Sequence, residues 1–230
     1  MLTHAQPFEK VRVDEGVFGR AIELGFDDLA RDRYATATDR RRRFSQYRGK
    51  FEGDRWRIER LPHRPFVQPL KYNSLIGGVL RDFEPIAEDV AFLLEWTARH
   101  LELERDHDWQ ANLHMIRTRC SESAEGIVVP EGRHQDGHQY VTLMCVRRTN
   151  ITGGRTYLYD ASSGRQLTSL MLEAGECLLI DDRLVAHDTT PIQTSSIGSR
   201  DMIVMVWNEW EVKHYGEDYE RAVVAREPGS

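Results

Sequence analysis

Asp201-Met202-Ile203-Val204-Met205-Val206-Trp207-Asn208-Glu209-Trp210 holds an unbroken apolar run from Met202 to Trp207. A short run of this kind between polar flanks reads as a β-strand covered on both faces. Upstream segments have the same texture. Residues 113–119 alternate as a half-buried strand does, and residues 140–147 are rich in Val, Thr and Leu. Residues 156–159 follow Gly153-Gly154, and residues 177–180 form a brief apolar run after Gly175. Several short strands separated by turn signals predict a sandwich or barrel. Strand and helix do not alternate after residue 111, which argues against a doubly wound sheet.

Ahead of this β-rich half, residues 84–104 carry Ile86, Val90, Leu93, Leu94 and Leu101 at helical spacing. Pro85 suits a first helical turn, and Arg99 and His100 suit the last. This predicts a long helix packed across a sheet. Residues 27–33 are expected to form a short helix. The run Arg40-Arg41-Arg42-Arg43 reads first as a solvated charged face, and alternatively as a place where some arginines meet an anionic small molecule or a subunit partner. With no repeat and no low-complexity linker, one domain over 1–230 is expected. Residues 1–110 would be helical or mixed support, and 111–212 a β core.

The 230 residues are 40% hydrophobic and 30% charged, a balance that excludes a disordered chain. A net charge of −6 disfavours a grip on nucleic acid. No apolar run approaches the length of a membrane span, and the early charges Glu9 and Asp14 do not suit a signal peptide. Cys120, Cys145 and Cys177 are odd in number and widely spaced, so a Cys-x-x-Cys site and a disulfide framework are not expected. A cytoplasmic location with reduced thiols follows as the expectation.

The chemistry concentrates in Pro130-Glu131-Gly132-Arg133-His134-Gln135-Asp136-Gly137-His138. In extended chain, residues two apart point to one side, so His134 and Asp136 project together. A third metal ligand must come from elsewhere. His187, 51 residues beyond Asp136 and just after an apolar strand, supplies it. Two histidines and one carboxylate form the facial triad of non-haem Fe(II) oxygenases, which leaves positions open on the metal. A 2-oxo acid can fill two of these and O2 another. Its far carboxylate then needs a cation, and a planar guanidinium fits best. Arg200, at the start of the apolar strand, is the candidate.

At these residues the chain resembles the bacterial Fe(II)/2-oxoglutarate-dependent dioxygenases that include L-isoleucine 4-hydroxylases and related free amino-acid hydroxylases. The resemblance rests on Tyr72-Asn73-Ser74 with Gly77-Gly78 and Arg81-Asp82-Phe83-Glu84-Pro85, and on Pro130-Glu131-Gly132 before His134-x-Asp136-Gly137-His138. It continues through Asn150-x-Thr152-Gly153-Gly154 with Tyr159-Asp160, then Asp181-Asp182 with His187 and Thr190-Pro191. It spans residues 40–210.

The resemblance implies a double-stranded β-helix, or jelly-roll, core with flanking helices. It also implies iron at His134, Asp136 and His187, with 2-oxoglutarate at Arg200. The implied reaction hydroxylates an unactivated carbon of a free L-amino acid or close derivative, consuming O2 and releasing succinate and CO2. Where the wider superfamily often has Arg-x-Ser, this chain has Met202 two residues after Arg200. A second donor to the far carboxylate must come from elsewhere, and Thr142, Thr189 and Tyr140 are the candidates.

For the substrate, Tyr72 and Asn73 are candidate pocket walls, and Arg117 or Arg119 a candidate carboxylate partner. Glu131 or Asp188 is a candidate ammonium acceptor. His138 is a candidate pocket wall and the competing metal ligand, and His114 reads as a satisfied buried histidine. Asp181 and Asp182 read as caps of the turn before His187. The expected partner is a small molecule, with neither nucleic acid nor membrane, and a homodimer is possible on this reading. Two alternatives remain: an oxygenase of this type tailoring a natural-product intermediate by hydroxylation, desaturation or sulfoxidation, and a non-catalytic metal-binding jelly roll.

Overall fold

The structure, a computed structural model, describes residues 2–14 and 17–225. The remaining positions of the expected 1–230 domain lie outside the described residues. Among the described residues, twelve strands run in chain order: β1 (Phe8–Arg12), β2 (Asp39–Glu52), β3 (Arg55–Arg60), β4 (Trp109–Ser121), β5 (Tyr140–Thr149), β6 (Thr152–Gly153), β7 (Arg155–Asp160), β8 (Gln166–Met171), β9 (Glu176–Asp181), β10 (Val185–Thr189), β11 (Ile192–Gln193) and β12 (Ile197–Glu209). The helices are α1 (Arg20–Gly25), α2 (Ala91–His100) and α3 (Glu217–Ala225). A seven-stranded antiparallel sheet has the order β1-β9-β5-β12-β4-β2-β3, and a smaller sheet has the order β10-β7-β8. A two-stranded β11-β6 ribbon completes the strands. The mainly β, jelly-roll expectation holds.

Strand β12 explains the arrangement. Ile203, Met205 and Trp207 face one side of the large sheet and are fully buried against α2, with Leu113, Met115, Leu93, Leu94 and Leu101 around them. Met202 and Val206 face the other side and pack with Val141 and Leu143 of the neighbouring β5 and with Leu158 and Val185 of the smaller sheet. The apolar run is covered twice because it separates two cores. The second face also bounds the cavity that holds the functional residues.

Two expected helices differ. Only residues 91–100 of the 84–104 segment are helical. The Glu84 carbonyl accepts the Phe44 amide, and the Ile86 amide donates to Ser45 Oγ, so the stretch around Pro85 is committed to the sheet edge. Glu102, at φ 52°, lies just past the far end of α2. The helix expected at 27–33 is replaced by α1 and a 3-10 turn at Phe26–Asp28. Beyond it, the Asp32 amide donates to Arg40 O and the Arg42 amide to Ala30 O, which binds residues 30–32 to the edge of β2.

The support segment before residue 111 is therefore not mainly helical: β2 and β3 belong to the large sheet. The Arg40–Arg43 run lies within β2, with Arg40 and Arg42 buried and Arg41 and Arg43 on the opposite face. For the buried pair, the solvated-face reading is overturned.

Candidate metal centre and adjoining cavity

His134 and His187 are joined by a backbone bridge, each amide donating to the other's carbonyl at 3.0 and 2.8 Å. That bridge fastens the 130–138 loop to β10. The ligand atoms of His134, Asp136 and His187 all lie within 4.8 Å of one another. Asp136 oxygens approach both imidazoles at 3.4 Å. His134 Nδ1 lies 2.9 Å from the Gly132 carbonyl, which can only accept. Nδ1 therefore carries a proton, which leaves Nε2, on the side of Asp136, as the nitrogen that would ligate a metal once its own proton is lost.

Both ring nitrogens of His187 are buried without a hydrogen-bond partner. A buried orphaned imidazole is costly unless something occupies it, and these atoms together make a donor set that suits Fe(II). Asp136 is shifted well below the usual carboxylate range: burial opposes ionisation, and the two histidines outweigh it. Burial pulls His134 down, but the bond and charge of Asp136 carry it up to about 9.

The loop is held from behind by Asp182. One carboxylate oxygen accepts the Asp136 amide at 3.0 Å, and the other accepts those of Gly137 and His138 at 2.7 and 2.9 Å. Gln68 Nε2 donates to the Asp136 carbonyl. Asp182 is 1% exposed, and burial followed by the Asp136 charge raises its pKa to about 6. The turn-cap reading misses this role. Asp181 is the residue that stays local, bonded to the Arg183 amide and guanidinium. Asp182→Ala orphans three amides of the metal loop. We expect a loss of about 3 kcal/mol or more by urea denaturation, together with weakened Fe(II) retention; Asp182→Asn, which keeps an acceptor, falls between.

His138 is buried and lines the cavity, yet it lies outside the ligand cluster. Its Nδ1 accepts from Asn208 Nδ2 at 2.8 Å, and burial lowers its pKa to about 4, so it is a neutral wall residue. Gly137, at φ +86°, has no room for a side chain, because a Cβ would meet the Tyr72 ring at 2.3 Å. Tyr72 thus backs the loop from outside and does not line the cavity, contrary to expectation. Asn73 and Glu131 do line it, joined by Asn73 Nδ2 to Glu131 Oε1 at 3.1 Å.

The cavity, about 140 Å3, suits a small molecule. Arg200 lies in its wall, 3% exposed, with Nε and Nη2 unpartnered. Burial lowers its pKa. Of the three hydroxyl candidates only Thr189 lines the cavity, 3.2 Å from Thr156 Oγ1. Thr142 is on the opposite face of its strand and bonds the Met205 carbonyl. Tyr140 lies by Arg183 and Trp109. Thr118, which the sequence reading did not single out, is the cross-strand neighbour of Arg200 and lines the cavity. His114 is buried as expected, its Nδ1 accepting from Arg42.

Arg117 and Arg119 are not in the cavity wall. They occupy the opposite parity of β4 to His114, Ile116 and Thr118. Arg117 grips the fully buried Asp201 with bonds of 2.6 and 2.8 Å and also reaches Asp27, while Arg119 pairs with Asp39. Asp188 accepts the Thr189 amide and is likewise absent from the wall. Arg117→Ala leaves Asp201 with Arg147 as its remaining partner. We expect a loss of about 2 kcal/mol and a lower Tm, with unchanged substrate KM. A raised KM at undiminished Tm would refute this placement.

Arg40 and Arg42 line the wall, as the alternative reading of the arginine run allowed without choosing among the four, and Arg81, not named as a site residue, lines it too. The arginine run and the Arg81-Asp82-Phe83 motif were visible, but neither reveals which face turns inward.

Comparison with known proteins adds to the geometry. A family profile described as 2OG-Fe dioxygenase matches residues 24–206. A solved bsmA homologue from Methylobium petroleophilum PM1 is 26% identical, with a TM-score of 0.70, and 85% of each chain is covered. IDO from Bacillus thuringiensis is 16% identical, with a TM-score of 0.65, covering 90% of this chain and 91% of that one. The Fe(II)/α-ketoglutarate-dependent dioxygenase TqaL is 16% identical, with a TM-score of 0.63, covering 89% and 83%. These last two show likeness of fold. No curated protein sequence matches.

Proposed function

Because the chain belongs to the 2OG-Fe dioxygenase family, we propose that it hydroxylates an unactivated carbon of a small carboxylate-bearing molecule, a free L-amino acid or close derivative. The observation that carries this reading is one cavity lined by the His134, Asp136 and His187 cluster, by Arg200 with unpartnered N–H groups, and by further arginines facing Glu131. When bound, Fe(II) with 2-oxoglutarate and O2 supplies the oxidising power, with succinate and CO2 as co-products.

The chain's own residues then do the following. His134 and His187 would offer ring nitrogens and Asp136 a carboxylate to the metal. Asp182 and Gln68 fix the loop so that these donors need no rearrangement. Arg200 would fork the far carboxylate of 2-oxoglutarate, with Thr189 or Thr118 as hydroxyl neighbours. Ile116, Leu143, Met202, Val204 and Val206 keep the wall apolar and exclude water from the reacting carbon.

The test begins anaerobically. Apoprotein given Fe(II) and 2-oxoglutarate should develop a weak visible charge-transfer band, and absence of the band with no iron retained would sink the assignment of the site. Succinate release across a panel of amino acids and their derivatives then identifies the substrate. Failure of the whole panel would move the reading toward a tailoring oxygenase.

A further inference from the structure

One face of the large sheet is laid out as cross-strand rows over β12, β4 and β2. Arg200, Thr118 and Arg40 form one row, and Met202, Ile116 and Arg42 form the next. All six line the cavity. Arg200 and the β2 arginines are two strand spacings apart, roughly 10 Å between backbones. The wall therefore has two separate cationic ends. Arg81 joins the second end from the segment bridged to Phe66.

The second end is not neutralised by the protein. Arg40 is bonded to buried Asp32 at 2.9 Å. Arg42 spends its Nε and Nη2 on the neutral ring of His114, whose pKa is held well below its usual value by burial and then by Arg42 itself. Arg81 is 2% exposed, and its Nε and Nη2 have no hydrogen-bond partner. Its guanidinium carbon lies 4.5 Å from the centre of the Phe66 ring, and that of Arg42 lies 5.3 Å from the same ring and 4.7 Å from Phe83. Ring faces orient a guanidinium without cancelling its charge. The carboxylate left to face this end is Glu131, already bonded by Asn73. With Arg40 set against Asp32, and Arg200 and Asp136 left to 2-oxoglutarate and the metal, Arg42 and Arg81 face Glu131 with one positive charge in excess.

A buried guanidinium with unpartnered N–H groups needs an anion of matching shape. We propose that Arg81, supported by Arg42, is the site for an anionic group of the primary substrate, and that this substrate carries a net negative charge. It is a small carboxylic acid whose acidic groups outnumber its amines, as in an N-acylated or acidic amino acid. A neutral zwitterion would place its carboxylate on Arg81 and its ammonium by Glu131, leaving the excess charge unmet. This inference rests on the cavity's being the substrate pocket of the dioxygenase.

The experiment uses full-length protein loaded with Zn(II), which is inert to O2, and 2-oxoglutarate. Loading is verified by calorimetry before each titration. Three classes of probe are titrated: N-acetyl amino acids with free aspartate and glutamate, free neutral amino acids, and amino-acid amides. The tightest ligands should be the net-negative ones, by about tenfold or more over their zwitterionic parents, and amides should not bind. Arg81→Met should weaken the best ligand by about tenfold or more, with Arg81→Lys between, because a point charge lacks the fork.

Ligand-free Arg81→Met should melt no lower than the unsubstituted protein, since an unpaired buried charge has been exchanged for an apolar chain. A purely structural role against Phe66 predicts a lower Tm instead. Tightest binding by zwitterions, no binding by any class, unchanged affinity in Arg81→Met, or failure of both Arg81 variants to load would each overturn the proposal. Failure of the unsubstituted protein to bind 2-oxoglutarate at all is a different result, and it overturns the dioxygenase site itself.

Discussion

His187→Ala is expected to lose iron and, with it, all turnover, whereas His138→Ala keeps its iron. His187 is 4% exposed on β10, and neither ring nitrogen has a hydrogen-bond partner, so packing alone does not account for an imidazole there. Removing it leaves His134 and Asp136, which is too few ligands for tight binding. Loss of a hydrogen-bonded neighbour alone typically costs 10- to 100-fold in metal affinity, so loss of a ligand should exceed about 100-fold. The fold should survive. The His134–His187 bridge uses backbone groups only, and Asp136 keeps His134 as a partner when the His187 side chain is removed. Iron content after anaerobic desalting gives the first readout. Melting with and without Fe(II) gives the second, because a metal that binds only the native state raises Tm. A His187→Ala protein that retains iron, beside a His138→Ala protein that loses it, would overturn the triad.

Strands β4, β5, β7, β9 and β12 were legible because their apolar residues alternate or run unbroken between turn signals, and β12 shows the limiting case of two buried faces, whereas β6, β8, β10 and β11 were not assigned. β2 was not legible for the converse reason. Arg40 and Arg42 turn into the cavity while Arg41 and Arg43 turn out, so charge on both faces conceals the period of two. A functional polar face inside a strand breaks the local pattern that would announce the strand. The error over Arg117 and Arg119 is one of parity. β4 was expected, but a strand read without its register can present either face, and a shift of one residue exchanges the wall of a cavity for an ion pair on the opposite face of the sheet.

The clustering of His134, Asp136 and His187 was legible because ligand chemistry restricts residue types and because His134 and Asp136 are two apart in extended chain. Asp182 was not, since its partners are backbone amides 44 to 46 residues away, and such partners leave no sequence signal. The 84–104 helix was overextended for a similar reason. The apolar spacing is real, but long-range bonds to Phe44 and Ser45 claim the first turn.

Arg200→Gln should raise the KM for 2-oxoglutarate by about 100- to 1000-fold, corresponding to about 3 to 4 kcal/mol, the scale on which a buried charged partner is lost. Arg200 is held on β12 with Thr118 on one side and the Gly153-Gly154 turn close by, where a Cβ on Gly154 would lie 3.6 Å from the Arg200 side chain. Its Nε and Nη2 are buried and unsatisfied, so the site is preorganised for a planar anion and does not have to move to meet one. Arg200→Lys should recover only part of the affinity, because an ammonium cannot form two parallel bonds. The hydroxyl candidates separate in the same titration. Thr189→Ala and Thr118→Ala each remove one neutral bond and should cost about 1 kcal/mol, or roughly fivefold. Thr142→Ala should cost nothing in this assay, since its hydroxyl is bonded to the Met205 carbonyl on the other face of the strand. Affinities read anaerobically from the Fe(II) charge-transfer band report binding without turnover. If Thr142→Ala weakened 2-oxoglutarate more than Arg200→Gln did, the cosubstrate would have to bind on the opposite face of β5. The assignment of Arg200 would then fall.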